Sequence, residues 1–211
     1  MNFVGHIYLS GDDCSIAIGN FIGDHVKGKK YEKYPDGIKR GIIIHRDIDT
    51  FTDAHPSFIA AKSLFRDGYG KYAGVVVDIA FDHILTKNWN DWHDMPLKEF
   101  TRKFYRTLMG NFLVLPITVK QFVPFMIKSD RLATYATLYG IKKVLGIMSN
   151  YSTLPPMKDI AIDVIETHEE LLKKMFYILM CDLSIFLNEK YGLETNTKAA
   201  IQIAKNRTLK E

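Results

Sequence analysis

The stretch from Asp36 to Ala54 reads DGIKRGIIIHRDIDTFTDA, and its apolar residues recur with the period of an α-helix. At about 100° per residue, one narrow arc of a helix would carry Ile38, Ile42, His45, Asp49 and Asp53. Because the two isoleucines should face the interior, His45 and Asp49 continue an inward face. A buried carboxylate is costly unless it is paired or bound to a metal. This segment therefore predicts a helix that turns ligand-type side chains towards the core.

The segment from residue 72 to residue 89 repeats this pattern. One face combines apolar residues with two aspartates: Val75, Asp78, Ile79, Asp82, Thr86 and Trp89. Asp78 and Asp82 would be like charges about 6 Å apart between Cβ atoms, and they destabilise each other unless a cation intervenes. His83 flanks Asp82 and could reach the same cation. Asn20 and Asp24 share an inward face of an earlier helix in the same manner.

Helical periodicity extends along the chain, whereas alternating strand patterns are nearly absent. We expect helices near residues 13–27, 36–54, 57–66, 72–92, 96–111, 118–129, 134–149 and 157–191. The last of these should be one continuous helix with a single apolar stripe. Residues 192–211 are polar and basic, and we expect a loosely attached tail there. The fold class is all-α, a single-domain helical bundle over residues 1–191.

The composition is that of an ordinary globular protein, with 47% hydrophobic residues, 25% charged residues and a net charge of +4. This charge is weak and dispersed, so it gives no argument for nucleic acid binding. No apolar run approaches the roughly 18 residues of a membrane span, and no secretory signal is expected. Cys14 and Cys181 lie far apart and are expected to be reduced thiols in a cytoplasmic protein.

The inward aspartates and histidines allow two interpretations. Mixed carboxylate and imidazole ligands suit a divalent cation that activates water, such as manganese, magnesium, iron or zinc. Cysteine is absent from the set, which disfavours a structural zinc site. The alternative is a hydrogen-bonded structural network, for which Arg46 is the main nearby cation. A lone inward histidine such as His6 or His168 fits a core residue equally well or better.

A basic run follows Asp24 directly and is interleaved with Tyr31 and Tyr34. It consists of Lys27, Lys29, Lys30, Lys33, Lys39 and Arg40. Such a run can be simply a solvated face. Beside a metal site it would instead attract an anionic phosphate or an acidic partner. Motifs of P-loop, dinucleotide-binding and serine-hydrolase proteins are absent from the sequence.

Several of these residues form a pattern with a known counterpart. The pattern comprises Asn2-Phe3, His6, Gly19-Asn20, Asp24, Gly28, Gly41, His45-Arg46, Ile48-Asp49, Thr52-Asp53, Pro56, Asp78, Phe81-Asp82-His83, Leu85 and Trp89. It resembles the bacterial acyl carrier protein phosphodiesterases, densely over residues 1–90 and more weakly to about residue 190. The resemblance implies an all-helical fold distantly related to the HD phosphohydrolases. It also implies manganese-dependent hydrolysis of the bond that joins 4'-phosphopantetheine to a serine of holo-acyl carrier protein.

The resemblance further implies roles for individual residues. The expected metal ligands are Asp24, His45, Asp78, Asp82 and His83, and His6 and Asp49 are expected either to bind the ion directly or to support the residues that bind it. Catalytic roles at the metal or at the phosphate fall to Asp49, Arg46 and Lys27, and Lys29, Lys30 and Lys33 would bind the acidic carrier. The metal is expected to be Mn²⁺, with Mg²⁺ or Fe²⁺ as alternatives. HD enzymes carry an adjacent His-Asp pair, whereas this chain has Asp82-His83, so their ligand roles do not transfer position by position.

Two other functions fit the same residues. One is a metal phosphohydrolase that acts on a nucleotide or a small phosphoester. The other is a non-catalytic helical module that binds acyl carrier protein. Metal content would identify the second, because a pure binding module needs no buried cluster of aspartate and histidine.

Overall fold

The computed structural model describes residues 1–195, and all regular structure in that part of the chain is helical. This confirms the all-α prediction. The α-helices of the described residues are α1 (Phe3–Tyr8), α2 (Cys14–Ile22), α3 (Asp36–Ala54), α4 (Pro56–Tyr69), α5 (Ala73–Lys87), α6 (Leu97–Gly110), α7 (Ile117–Lys128), α8 (Arg131–Thr134), α9 (Leu138–Tyr151), α10 (Lys158–Thr167) and α11 (Glu169–Tyr191). None of these helices is long and apolar enough to cross a membrane.

Local sequence signals explain where several helices begin. The Asp13 carboxylate accepts the N–H groups of Ser15 and Ile16 at the start of α2. Pro56 is the first residue of α4, a position at which the missing N–H costs nothing. The helix predicted over residues 36–54 has these bounds in the structure, with Pro35 immediately before it.

Helices α2 and α3 approach each other unusually closely because glycines face each other at their crossing. A Cβ atom at Gly19 would lie 2.0 Å from the carbonyl oxygen of Ile38, and one at Gly41 would lie 2.3 Å from that of Ile16. No other residue type could occupy these positions without moving a helix backbone. The close crossing brings Asp24, just after α2, beside His45 of α3.

Helix α5 lies at the centre of the fold and packs on α1, α4, α9 and α11. It is buried on nearly every side, and its fully buried side chains include Val76, Val77, Phe81 and Leu85. A helix surrounded in this way by other helices must present mostly apolar side chains on all of its faces. Asp82 is therefore enclosed by protein, with no measurable exposure to solvent.

The prediction of one continuous helix over residues 157–191 is wrong. His168 has φ −112° and ψ 24°, outside the helical region, and it separates α10 from α11. The break lets α10 pack against α9 and α4 while α11 packs against α4, α5 and α3. The apolar stripe is likewise not continuous, since Ile160 and Leu171 are 46% and 43% exposed. Tertiary packing here outweighs the periodicity that a straight helix would satisfy.

Helix α11 ends at Tyr191, and Gly192 follows with a positive φ of 63° that favours glycine. The predicted boundary between the helical domain and a tail at residue 192 stays a prediction. Residues 196–211 of that tail lie outside the described residues. Helix α1 was not predicted from the sequence, and it supplies one of the residues of the site below.

Candidate metal centre

Three side chains from α1 and α3 converge on one point. One ligand atom each from His6, His45 and Asp49 lies within 4.8 Å of the others. The Nε2 atom of His6 is 3.2 Å from one Asp49 oxygen, and the Nε2 atom of His45 is 3.1 Å from the other. The two imidazole rings stack with centroids 4.2 Å apart. The i, i+4 spacing of His45 and Asp49 that the sequence indicated thus brings both to the same point.

The proton position on His6 follows from its hydrogen bonds. The Nδ2 group of Asn20 donates to the backbone oxygen of His6 and to the Ser10 hydroxyl. Its Oδ1 atom must therefore be the acceptor for Nδ1–H of His6, at 2.8 Å. In the neutral ring the Nε2 lone pair then faces an Asp49 oxygen. Two electron-rich atoms at this distance are stabilised by a cation that both can bind.

His45 contacts the same carboxylate, that of Asp49, but lies in a different environment from His6. Its Nε2 atom also lies 3.5 Å from Asp24, whose side chain is 70% exposed. Its Nδ1 atom is buried and has no hydrogen-bond partner within residues 1–195. The ring fits because residue 23 is glycine: a Cβ atom there would lie 2.2 Å from Cγ of His45. Gly23 therefore makes space for the imidazole between the end of α2 and α3.

The pKa values of these groups describe the charge of the metal-free centre. Burial lowers the pKa of His6 to about 4, so its ring is neutral at pH 7. Burial acts in the same direction on His45, but hydrogen bonds to Asp24 and Asp49 outweigh it and raise the pKa of His45 to about 9. Burial opposes ionisation of Asp49, yet the hydrogen bond from His45 holds the pKa of Asp49 well below its usual range. One proton on His45 is therefore the positive charge that the carboxylates share.

The residues fit a divalent metal ion. Imidazole nitrogen and carboxylate oxygen are suitable donors for manganese, iron or zinc. His6 already has the outer hydrogen bond that a metal-bound histidine usually makes, through Asn20. The proton on His45 is the charge that a bound cation would replace.

An open cleft of about 480 Å³ adjoins this centre. Asp49 contacts both imidazoles. Asp49 and Asp24 also line the cleft. Further lining residues are His25, Asp53, Asp78, Arg131 and Tyr135. The centre is thus reached through carboxylates, while the two imidazoles are buried behind them with 4% exposure each.

The other sequence-predicted ligands make different contacts. The carboxylate of Asp82 accepts the N–H groups of Val4 and Gly5, at 2.8 and 3.0 Å, and so closes the first turn of α1. Burial raises the pKa of Asp82 to about 7 despite these two donors. Asp78 binds the amino group of Met1 at 2.7 Å.

His83 lies on another side of α5, where its Nδ1 atom is 2.7 Å from the backbone oxygen of Tyr135. It therefore makes no contact with the three converging side chains. The structure brings together four of the sequence-predicted residues, which are His6, His45, Asp49 and Asp24.

The predicted phosphate-binding and carrier-binding residues lie beside the centre, after Asp24. Arg46 donates from its guanidinium to the backbone oxygens of Val26 and Gly28, at 2.8 and 2.7 Å, and stacks on Tyr31. It therefore holds the loop in place. The basic segment, defined as Lys27, Lys29, Lys30 and Lys33, is exposed on this loop and on the 3₁₀ segment Gly28–Lys33.

Sequence reasoning did not indicate Arg131 and Tyr135 as cleft residues. They follow Asp49 by more than 80 residues and belong to no recognisable motif, so nothing in the sequence links them to the centre. The cleft becomes visible only when α8 is packed beside α1 and α3.

The fold and the donor set define an all-helical protein with a candidate divalent-metal centre beside an open cleft. A family model described as acyl carrier protein phosphodiesterase matches residues 1–183. The chain therefore belongs to the acyl carrier protein phosphodiesterase family, and the resemblance indicated by the sequence motifs is confirmed.

Individual relatives agree with this assignment. Proteins named acyl carrier protein phosphodiesterase from Enterobacter sp. (strain 638) and Escherichia coli O6:H1 (strain CFT073) are 32% and 30% identical to this chain over 182 residues. Each alignment covers 84% of this chain and 92% of the relative. No solved structure matches the chain significantly, so the relation to HD phosphohydrolases stays a prediction.

Proposed function

We propose that this protein is a metal-dependent phosphodiesterase that hydrolyses 4'-phosphopantetheine from holo-acyl carrier protein. The observation that carries the proposal is the convergence of His6 and His45 on the two oxygens of Asp49 beside an open cleft. The name shared by the relatives supports the choice of substrate. The electron-rich contact between His6 and Asp49 supports the requirement for a cation.

The reaction is the transfer of a phosphoryl group to water. Water attacks phosphorus, and the bond from phosphorus to the serine oxygen of the carrier breaks. The serine oxygen receives one proton, which leaves apo-carrier and free 4'-phosphopantetheine as products. A bound divalent ion would lower the pKa of water and neutralise charge on the phosphoryl oxygens.

The residues of this chain would hold and orient the reacting groups. His6, His45 and Asp49 would bind the metal, and Asn20 keeps His6 in the tautomer that offers Nε2. The exposed carboxylate of Asp24 would accept a hydrogen bond from the attacking water and so orient it. The pKa of Asp24 is lowered by its hydrogen bond to His45, which keeps this carboxylate ionised at neutral pH.

The basic segment would attract the carrier protein. Acyl carrier proteins are small and acidic, and exposed lysines beside Asp24 would favour their approach to the cleft. Arg46 supports this role by holding the backbone of the loop that carries the lysines. A substrate of this kind also favours the cytoplasmic location expected from the sequence.

The test is incubation of purified protein with holo-acyl carrier protein and Mn²⁺, followed by intact-mass measurement of the carrier. We expect loss of the phosphopantetheine mass, and no loss when EDTA replaces Mn²⁺. Asp49→Asn should lower the rate by at least about 100-fold and reduce bound metal. The matched control is Asp47→Asn on the same helix, because Asp47 binds Lys190 and Tyr191 away from the cleft.

The two alternative functions give different results. Turnover of nucleotides or small phosphoesters with an unchanged carrier mass would assign a different phosphohydrolase. Binding of the carrier, with neither bound metal nor cleavage, would indicate that the protein is the non-catalytic binding module.

A further inference from the structure

Aspartates are the most numerous ionisable side chains in the lining of the cleft, which creates a problem for an anionic substrate. Four aspartates contribute to its lining, namely Asp24, Asp49, Asp53 and Asp78. A phosphodiester carries about one negative charge and would be repelled by this surface unless cations compensate. The metal centre would supply part of that compensation, and a second cation in the lining would supply more.

Arg131 contributes a guanidinium group to the lining of the cleft. It is half-buried at the start of α8 and makes no ion pair with a carboxylate in the part of the chain that the structure describes. This distinguishes it from Arg46 and Arg40, whose guanidinium groups donate to backbone oxygens of the fold. A guanidinium presents several donors in one plane and can bind two phosphate oxygens together.

The hydroxyl of Tyr135 lies next to Arg131 and has an unused donor. The Oδ1 atom of Asn2 accepts the N–H of Phe3, which fixes its amide so that Nδ2 donates to the Tyr135 hydroxyl at 3.1 Å. The guanidinium of Arg131 also interacts with this hydroxyl and can only donate. The phenolic hydrogen has no acceptor among the described residues, and Tyr135 lines the cleft.

Burial keeps this hydrogen on Tyr135. The ring is 1% exposed, and burial raises the pKa of the phenol far above its ordinary value, although the nearby guanidinium acts in the opposite direction. The group is therefore a neutral hydrogen-bond donor at any physiological pH.

We propose that Arg131 and Tyr135 bind the non-bridging oxygens of the substrate phosphodiester. The proposal rests on the proposed function, since it assigns the phosphate subsite of that same cleft. The substrate oxygens would complete the one hydrogen bond that Tyr135 lacks and would give Arg131 its anionic partner.

The kinetic test uses four variants. Arg131→Gln should lower kcat/KM for holo-acyl carrier protein by about 100-fold, with partial rescue in Arg131→Lys, because one point charge replaces a planar donor. Tyr135→Phe should lower kcat/KM by about 10-fold while the helix content stays unchanged. Lys128→Gln, an exposed cation three residues before Arg131 that does not line the cleft, is the control and should behave as wild type. Bound Mn²⁺ should be the same in all four variants.

A second measurement is independent of turnover. Phenylglyoxal modifies accessible arginines, and peptide mass analysis reports each site. We expect 4'-phosphopantetheine or inorganic phosphate to protect Arg131 at least about 10-fold, and to leave the exposed Arg102 unprotected. Equal modification of Arg131 with and without these anions, or wild-type kinetics in Arg131→Gln, overturns the proposal. A wild-type protein that fails to cleave the carrier while Arg131 is still protected would reject the proposed function and support the phosphate subsite.

Discussion

Replacement of Asp82 by alanine should damage the candidate metal centre without removing a residue that contacts it. The carboxylate accepts the N–H groups of Val4 and Gly5 in the first turn of α1, and Asn2 accepts that of Phe3. These three N–H groups have no partner within the helix itself. Because α1 also carries His6, the position of that imidazole depends on the first turn.

The magnitude follows from the burial of the two donors. A buried N–H group without a partner costs about 1 to 3 kcal/mol, so Asp82→Ala should lower the free energy of unfolding by about 2 to 6 kcal/mol. Asp13 provides a matched control, because it too accepts two N–H groups at a helix start, those of Ser15 and Ile16. Asp13 is exposed, and water can replace it there, so Asp13→Ala should cost only about 1 kcal/mol.

The assay is urea unfolding followed by circular dichroism, in EDTA so that metal binding does not contribute. The penalty of Asp82→Ala should also shrink between about pH 4 and pH 7. The pKa of Asp82 rises from 3.8 unfolded to about 7 folded. In this range the folded state holds a proton that the unfolded state has released, so wild-type stability from this group falls as the pH rises.

Metal binding gives the functional readout of the same variant. Equilibrium dialysis should show Mn²⁺ affinity reduced by about 10- to 100-fold in Asp82→Ala and unchanged in Asp13→Ala. Equal and small losses of stability in the two variants, together with normal Mn²⁺ affinity, would show that Asp82 does not hold α1 and His6 in place.

Three further predictions concern the centre and its approach. Asn20→Ala should weaken Mn²⁺ binding by about 10- to 100-fold, measured by equilibrium dialysis, because His6 loses the acceptor that fixes its tautomer. Calorimetry in buffers of different ionisation enthalpy should show about one proton released per Mn²⁺ at pH 7, because the pKa of His45 is about 9. The Mn²⁺ affinity should rise as the pH approaches 9. Binding without proton release would contradict this prediction. Replacement of the lysines of the basic segment by glutamate should raise KM for holo-acyl carrier protein several-fold and remove the salt dependence of KM. Turnover of a small phosphodiester should change little. Equal losses on both substrates would instead indicate that these lysines bind the phosphate.

The sequence predicted the part of the metal centre that lies on a single helix, α3. Periodicity correctly indicated that Ile38, Ile42 and His45 face inward, and they are buried with Asp49 beside them. It also correctly indicated that Asp82 faces inward. Its partners, however, are two N–H groups that precede it by 77 and 78 residues, and no local pattern reports a contact of that length.

Two further features depend on packing between distant elements. Helix α1 is six residues long, too short for periodicity to identify, and it is held by side chains from α2 and α5. The break at His168 has no proline or glycine to indicate it. Both follow from the assembled core, because a short helix forms in water only when tertiary contacts stabilise it.

The geometry of the centre therefore rests on residues that are not ligands. Asp82 fixes the start of α1, Asn20 fixes the His6 ring within it, and the Gly19–Gly41 crossing sets the distance between α2 and α3. Asp82 and Asn20 act on α1, which carries His6, and the glycine crossing positions α3, which carries His45 and Asp49. Loss of any one of these contacts would therefore displace His6 relative to the other two donors. A divalent ion needs its donors at fixed distances, so these buried polar residues would determine the geometry of the metal centre through their contacts with the protein.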